Sequence, residues 1–295
     1  MKVLGTTTMR STSPGAEHVM GQPLVPVLDY GFVEMADYYG TDLDVVRAAR
    51  VSYSAGTTAV RDDRSLIRYM MGNNHTSPFE RLTVTFRARM PLFIVHQLLR
   101  HRTGRFNEES LRYSKAEDLF YVPRQASVRK QSGKNKQGGD KSMTEQESQE
   151  VCQYLVANNE ESYDLYMNTL IKKYGLSREQ ARIALPTSLY KRIEFTFDLH
   201  NLLHLLRLRL DDHAQEEFRM YAEVIARMVE QWVPLCWEAF CDYRKNAVTF
   251  SQYEQRVLRS ALRGQVLVRN KCPELSDREW QACIDKLQAL MKETA

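Results

Sequence analysis

The chain has 295 residues, 43% hydrophobic and 26% charged, which suits a globular protein that buries a full core as one large domain or two small ones. No apolar run approaches the length of a membrane span and the first fifteen residues lack a sustained apolar core, so neither a membrane protein nor a secretory leader is expected. The net charge of +4 is concentrated: residues 124–141 hold six basic residues and one acid, a local +5, leaving −1 for the rest, which excludes a uniformly basic nucleic-acid binder.

In chain order, residues 1–24 are rich in Ser, Thr, Pro and Gly and read as an irregular arm. Residues 25–35 mix β-branched and aromatic side chains and predict a strand pair or a bent strand. Thr41, with Asp44 three residues later, resembles a capping box and starts a helix to Ala49. Residues 61–72 place Leu66, Ile67, Met70 and Met71 on one helical face, with a stop at Gly72 and the two asparagines beyond. Leu82 to Met90 alternates apolar and polar residues and predicts a half-buried strand, after which Pro91 stands at the first position of a helix. The Gly, Ser, Gln and Lys of 124–141 read as a mobile, solvated insertion. A long helix is expected from Glu145 to Tyr174, a short one from Ser177 to Ala184, and an alternating strand over 188–199 with Ile193, Phe195 and Phe197 inward. Helices follow from about His200 and from Asp212, with a kink near Pro234, and the polar residues from 244 to 295 predict a helical extension. Strands far apart in sequence, mixed with helices, indicate an α+β fold rather than a regular βαβ series.

The chemistry concentrates in residues 100–113, RHRTGRFNEESLRY, which hold four arginines, a histidine, two glutamates, an asparagine and a serine. Buried charges must be paired or they cost several kcal/mol each, so this stretch is not a core element. Its mixed signs do not suit a simple basic tail. Arginine forks match phosphates and planar oxygen pairs, and a ligand loop for an anionic, planar molecule such as a nucleotide is one reading. A surface helix end laced with salt bridges is the other, since cations are favoured at a helix C-terminus. No GxGxxG and no P-loop occurs, so a bound dinucleotide would be held by side chains and helix ends.

The spacing RHR, seven residues, then Ser, continuing as LRYS, resembles the signature of the flavin-dependent thymidylate synthases. VRAARVSY (46–53), HTSPFE (75–80), ARIALP (181–186) and DLHNLLHLLRLRLDDHAQ (198–215) resemble further blocks of that family in the same order, over roughly residues 25–243. Arg105 departs from the pattern, where many members carry a small polar residue. The resemblance implies a single α+β catalytic domain, with a mixed or antiparallel sheet packed by long helices. It implies reductive methylation of dUMP to dTMP with FAD as cofactor, and NADPH and methylenetetrahydrofolate as co-substrates. It also implies a homotetramer with active sites shared between subunits.

Residue by residue, the resemblance carries Gln97, Arg100, Glu108, Ser110, Leu111, Arg112, Arg182 and Arg209 over as dUMP contacts. Ser52, His75, Ser77, Arg100, His101, Arg102, Glu108, Asp198, His200 and His204 carry over as flavin contacts. Arg209, Ser110 and His75 stand closest to the chemistry, with Ser110 read as binding and orienting, because no Ser–His–Asp relay is suggested.

Two rival readings come from other classes. His200 and His204, spaced i, i+4, with His213 beyond, have the spacing of a zinc site, but Asn201 stands where a zincin-type hydrolase needs glutamate, and no metal is expected. A nucleic-acid-binding module using the basic segment lacks any recognition signature, so neither a specific nucleic acid nor a membrane is expected as a partner. The five cysteines (Cys152, Cys236, Cys241, Cys272 and Cys283) have no CxxC spacing, which argues for free thiols in a reducing compartment, the cytoplasm.

Overall fold

The structure, a computed structural model, describes residues 11–51, 62–133 and 138–292. Two compact units emerge, Met1–Phe240 and Cys241–Ala295.

The first unit is α+β, built on a five-stranded antiparallel sheet. Its strands are β1 (Val25–Val27), β2 (Gly31–Tyr39), β3 (Thr83–Pro91), β4 (Arg105–Glu108) and β7 (Tyr190–Asp198), ordered β1-β2-β3-β7-β4. Alternation decides the two faces. Val84, Phe86, Ala88 and Met90 of β3 and Ile193, Phe195 and Phe197 of β7 are buried. The opposite face carries Thr85 bonded to Thr196 at 2.8 Å, and Arg87 bridging Glu34 at 3.0 Å and Glu194 at 2.9 Å.

The helices of this unit are α1 (Pro14–Met20), α2 (Asp42–Arg50), α3 (Asp63–Gly72), α4 (Ser77–Glu80), α5 (Leu92–Leu98), α6 (Glu145–Asp164), α7 (Arg178–Ala181), α8 (Leu199–Arg209), α9 (Glu216–Trp232) and α10 (Pro234–Phe240). α9 buries Phe218, Tyr221, Ile225, Val229 and Trp232 and packs against α8, β1 and β2. The capping box expected at Thr41 and Asp44 is formed, and α3 buries the four apolar residues read from its period. α6 continues through a π-helical stretch, Leu165–Lys173, to Tyr174, and Gly175 follows at φ +65°.

Several expectations are corrected. The arm is not irregular throughout: Ser13 caps α1, Pro14 occupies its first turn, and the helix packs on β2 and α9. The signal was present, since Ser followed by Pro is a helix start. Pro91 still belongs to β3 and caps α5 instead of opening it. The fourth helix of the C-terminal half begins at Glu216 rather than at Asp212, because Asp211 turns back to accept from the His213 N–H at 2.8 Å. The basic insertion contains a 3-10 turn (Gln125–Ser127) and an antiparallel hairpin, β5 (Arg129–Gln131) with β6 (Gly139–Ser142). Part of residues 100–113 is also a strand, since β4 pairs with β7 as the sheet edge and leaves its charges in solvent.

The second unit contains α11 (Gln252–Leu262) and α12 (Asp277–Lys292) around Val257, Cys272, Leu275, Cys283 and Leu287. A capping box of Ser251 and Glu254 starts α11, and Lys286 reaches Glu254 at 2.6 Å. Among the described residues no helix is long and apolar enough to cross a membrane.

Candidate active site

The site residues fall into three groups, each positioned by a different piece of the sheet and its flanking helices. The first lies where α5 ends. The chain turns through Arg100, His101 and Arg102, with the His101 N–H bonded to Leu98 O at 3.0 Å and the Gly104 N–H to His101 O at 3.0 Å. Gly104 is required by space, since a Cβ there would lie 2.4 Å from the Phe197 ring. The turn brings His101 against the last turn of α8, where Arg209 donates its Nε–H to His101 Nε2 at 3.1 Å. The Arg209 guanidinium also lies 4.7 Å from the centre of the Phe218 ring, a cation–π contact. Arg209 is half-buried and has no carboxylate partner among the described residues, and burial pushes its pKa below the ordinary arginine value. Gln97 donates to Gln215 at 2.5 Å, which ties α5 to the start of α9. Arg100 and Arg102 are exposed.

Burial, with Arg209 and His204 nearby, pushes the His101 pKa down from 6.5 to about 4. A neutral ring is what an acceptor for the Arg209 N–H must be. The consequence for stability has a definite sign. Between pH 6.5 and 4 the unfolded chain binds a proton that the folded chain refuses, so this contribution is complete above 6.5 and is lost as the pH falls towards 4. Because the ring is only about half shielded from solvent, screening reduces the effect, and we expect about 1 kcal/mol of stability to disappear between neutral pH and about pH 5 for this reason. Urea midpoints of the wild type and of His101→Gln at both pH values check it. An equally steep acid loss in the variant would remove His101 as the cause.

The second group surrounds the end of β4. Glu108 pairs with Ile193 in the sheet register, and its carboxylate meets the buried Lys191 ammonium at 2.5 Å. Ser110 shapes the next turn, its Oγ accepting the Arg112 N–H at 3.3 Å. Arg112 forms an exposed ion pair with Glu179 at 2.7 Å, and Arg182 Nε donates to the Glu179 carbonyl at 3.2 Å. Glu179 therefore gathers the two arginines expected at the nucleotide phosphate. An exposed pair of this kind is worth about 0–1 kcal/mol, so an arriving phosphate readily displaces it. The Leu111 side chain is buried with Tyr166, Ala181 and Leu189, which leaves its backbone as the part facing any ligand.

The third group borders α3, α4 and α8. Asn74, at φ +59°, ends α3 in a Schellman turn, with the His75 N–H bonded to Met70 O at 3.0 Å and the Asn74 N–H to Met71 O at 3.4 Å. This turn presents His75, edge-on to Tyr69 at 5.9 Å, to a cleft of about 770 Å³ that Ser77, Ala48, Ala49 and Met70 also line. α4, carrying Ser77, packs on α8. Asp198 caps α8, accepting from the Asn201 N–H at 2.9 Å and from Asn201 Nδ2 at 2.7 Å, so its carboxylate serves the helix it begins. His200 is half-buried and His204 is exposed. Ser52 lies outside the described residues. The metal alternative is not assembled: among the described residues no group of three or more His, Cys, Asp or Glu is placed to hold an ion, and His213 sits against Asp211 at 2.8 Å.

A mixed wall of small apolar residues, an imidazole, a phenol and a hydroxyl suits a flat heteroaromatic ring with polar edges. The arginines of the other two groups suit its phosphates or those of a nucleotide. Sequence reasoning did not single out Lys191, Glu179, Gln215, Phe218 or Tyr69. Only Lys191 left a signal, as a charge on the inward phase of an alternating strand.

Comparison with known proteins gives consistent results. Residues 34–235 match the family model described as thymidylate synthase complementing protein. The chain is 42% identical over 276 residues to a flavin-dependent thymidylate synthase of Ruegeria pomeroyi, covering 93% of this chain and 91% of the relative. It is 45% identical over 240 residues to one of Treponema denticola, covering 81% and 90%. Among solved structures it is similar to the UMP/dUMP methylase PolB from Streptomyces cacaoi bound with 5-Br UMP, with a TM-score of 0.67, 34% identity, and coverage of 75% of this chain and 98% of that one.

Proposed function

The chain belongs to the flavin-dependent thymidylate synthase family, and from that premise we propose that it methylates C5 of dUMP to give dTMP, with FAD as cofactor, methylenetetrahydrofolate as one-carbon donor and NADPH as reductant. The observation that carries the proposal is the half-buried Arg209 guanidinium, held by His101 and Phe218 with no carboxylate partner among the described residues, while the exposed Arg100 and Arg102 flank His101 in the chain.

When bound, a flavin supplies the hydride that completes the methyl group. The chain's own residues bind, orient and polarise. Arg112, Ser110 and Arg182 take the dUMP phosphate, Arg112 leaving Glu179 to do so. Arg209 faces the uracil, where negative charge builds as C5 is methylated, and stabilises it as a cation placed in advance. Neutral His101 orients Arg209. Glu108 and Gln97 hold the nucleotide in register. Arg100, Arg102, His75, Ser77, His200 and His204 hold the flavin. This chemistry belongs to residues 25–243. The similarity to a UMP/dUMP methylase supports a uridine nucleotide as the substrate class.

We also propose that the sites are shared between subunits of a homotetramer. Different elements position the two halves: the turn after β4 with α7 holds Arg112, Glu179 and Arg182, and the end of α5 with the end of α8 holds His101 and Arg209. One nucleotide needs both.

The test is direct. Titrating the protein with FAD is expected to perturb the flavin absorbance, and the FAD-loaded protein is expected to convert dUMP to dTMP when NADPH and methylenetetrahydrofolate are added. Absence of any flavin response would overturn the reading.

A further inference from the structure

We propose that Lys191 is a positioning residue that fixes the Glu108 carboxylate as the acceptor for an N–H or O–H donor of the bound nucleotide. This rests on the functional reading above and adds to it a residue that the motif does not contain. Lys191 lies on β7 two positions before Ile193, the register partner of Glu108. Side chains two apart on a strand share a face, so Lys191 points to the same side as Ile193, Phe195 and Phe197, which is the core side. It is 5% exposed. Its ammonium meets Glu108 Oε1 at 2.5 Å and has no other ion pair among the described residues.

A lysine buried on one partner is costly, and a well-packed apolar residue of similar length serves a core at least as well. The pair is therefore a poor device for stability alone. It is also asymmetric: the Glu108 side chain is 33% exposed, against 6% for Lys191. The cation sits in the core and the carboxylate reaches out at the ligand-facing end of β4. The backbone is held on both sides, by the pairing of β4 with β7 and by the Glu109 N–H bonded to Arg192 O at 2.9 Å. Glu108 Oε2 has no hydrogen-bond partner among the described residues. An ionised carboxylate only accepts, so the complement of that free oxygen is a donor. dUMP offers two, the imide N–H and the 3′-hydroxyl of the sugar, and its phosphate falls to Arg112 and Arg182. Lys191 sets which way the free oxygen points.

The experiment compares wild type, Lys191→Met, Lys191→Gln, Lys191→Arg, Glu108→Gln and the double variant Lys191→Met/Glu108→Gln. Each is measured for dUMP affinity at equilibrium, for KM and kcat, for flavin titration and for melting temperature. Removing one partner of a charge pair is expected to raise the dUMP KM and Kd by roughly tenfold or more. For the Lys191 variants the kcat is expected to change by less than about threefold, and flavin titration to stay unchanged, because the loss is in ground-state positioning. Lys191→Arg, which keeps the charge, should recover most of the affinity. The double variant should be no worse than either single one, because the two residues act as a unit.

A purely structural pair would lower the melting temperature and leave dUMP affinity alone. Folded Lys191→Met or Lys191→Gln protein with wild-type affinity would overturn the proposal, as would additive losses in the double variant. Failure of both uncharged variants to fold would assign the pair to stability and overturn it too. A wild-type chain that neither binds nor methylates dUMP would refute the functional reading itself, whereas unchanged variants of an active wild type refute only the role of Lys191.

Discussion

Arg209→Ala is expected to lower dTMP formation by two to three orders of magnitude while the flavin still binds. The guanidinium is half-buried, it faces the ring of Phe218, and its Nε–H is committed to neutral His101. Burial already disfavours its charge, and no carboxylate among the described residues compensates. That desolvation cost is met by folding, before any substrate arrives, so the field of the cation is available in full to the charge developing on the uracil. Removing one such preorganised donor from an active site costs about 2.7–4 kcal/mol, which is the expected loss in kcat. The dUMP KM should move less, since the interaction strengthens in the transition state. Arg209→Lys should recover little, because a lysine ammonium has no planar fork to hold both His101 and the ring face of Phe218. Single-turnover rates with flavin reduced beforehand isolate the step. A fall of less than about threefold in folded protein would remove Arg209 from the chemistry.

The fold was legible where a segment shows one side to the core and the other to water. β3 and β7 are such strands, and their alternation specifies both faces of the sheet. α3 announces its buried side by the spacing of Leu66, Ile67, Met70 and Met71. β4 hid itself because a four-residue polar edge strand has no apolar phase to read, and its register partners on β7 lie 85 to 91 residues further along the chain. The hairpin of β5 and β6 is polar on both faces and short, so only its turn composition was visible. At the site, the residue types were readable from the motif, but the pairings were not. His101 and Arg209 are 108 residues apart, and Gln97 and Gln215 are 118 apart. Such contacts depend on how α5, α8 and α9 close against the sheet. Leu111 shows the converse limit, since a residue inside a ligand motif still turns into the core when its turn packs on α7 and the π-helical stretch.

Mixing two inactive proteins is expected to restore dTMP synthesis: Ser110→Ala/Arg112→Ala protein with Arg209→Ala protein. Each parent lacks one half of the proposed nucleotide grip. In the first, the turn after β4 loses the hydroxyl that shapes it and the arginine that pairs with Glu179. In the second, the end of α8 loses the cation beside His101. If both halves of one site came from the same chain, every chain in a mixture would stay defective, and mixing would yield nothing. If one site takes its turn from one subunit and its α8 from the neighbour, reassembly creates some sites built from an intact turn and an intact α8. Random exchange of two proteins in equal amounts gives about a quarter of sites with both halves intact, so roughly a quarter of wild-type activity is the ceiling when sites act independently. The recovery should need subunit exchange, and should therefore appear after mild dissociation and dilution back into assembly buffer, not on brief mixing. Sedimentation of the wild type is expected to show a tetramer. A fully active monomer, or mixtures that stay inactive although exchange is shown by differently tagged subunits, would place the whole site within one chain.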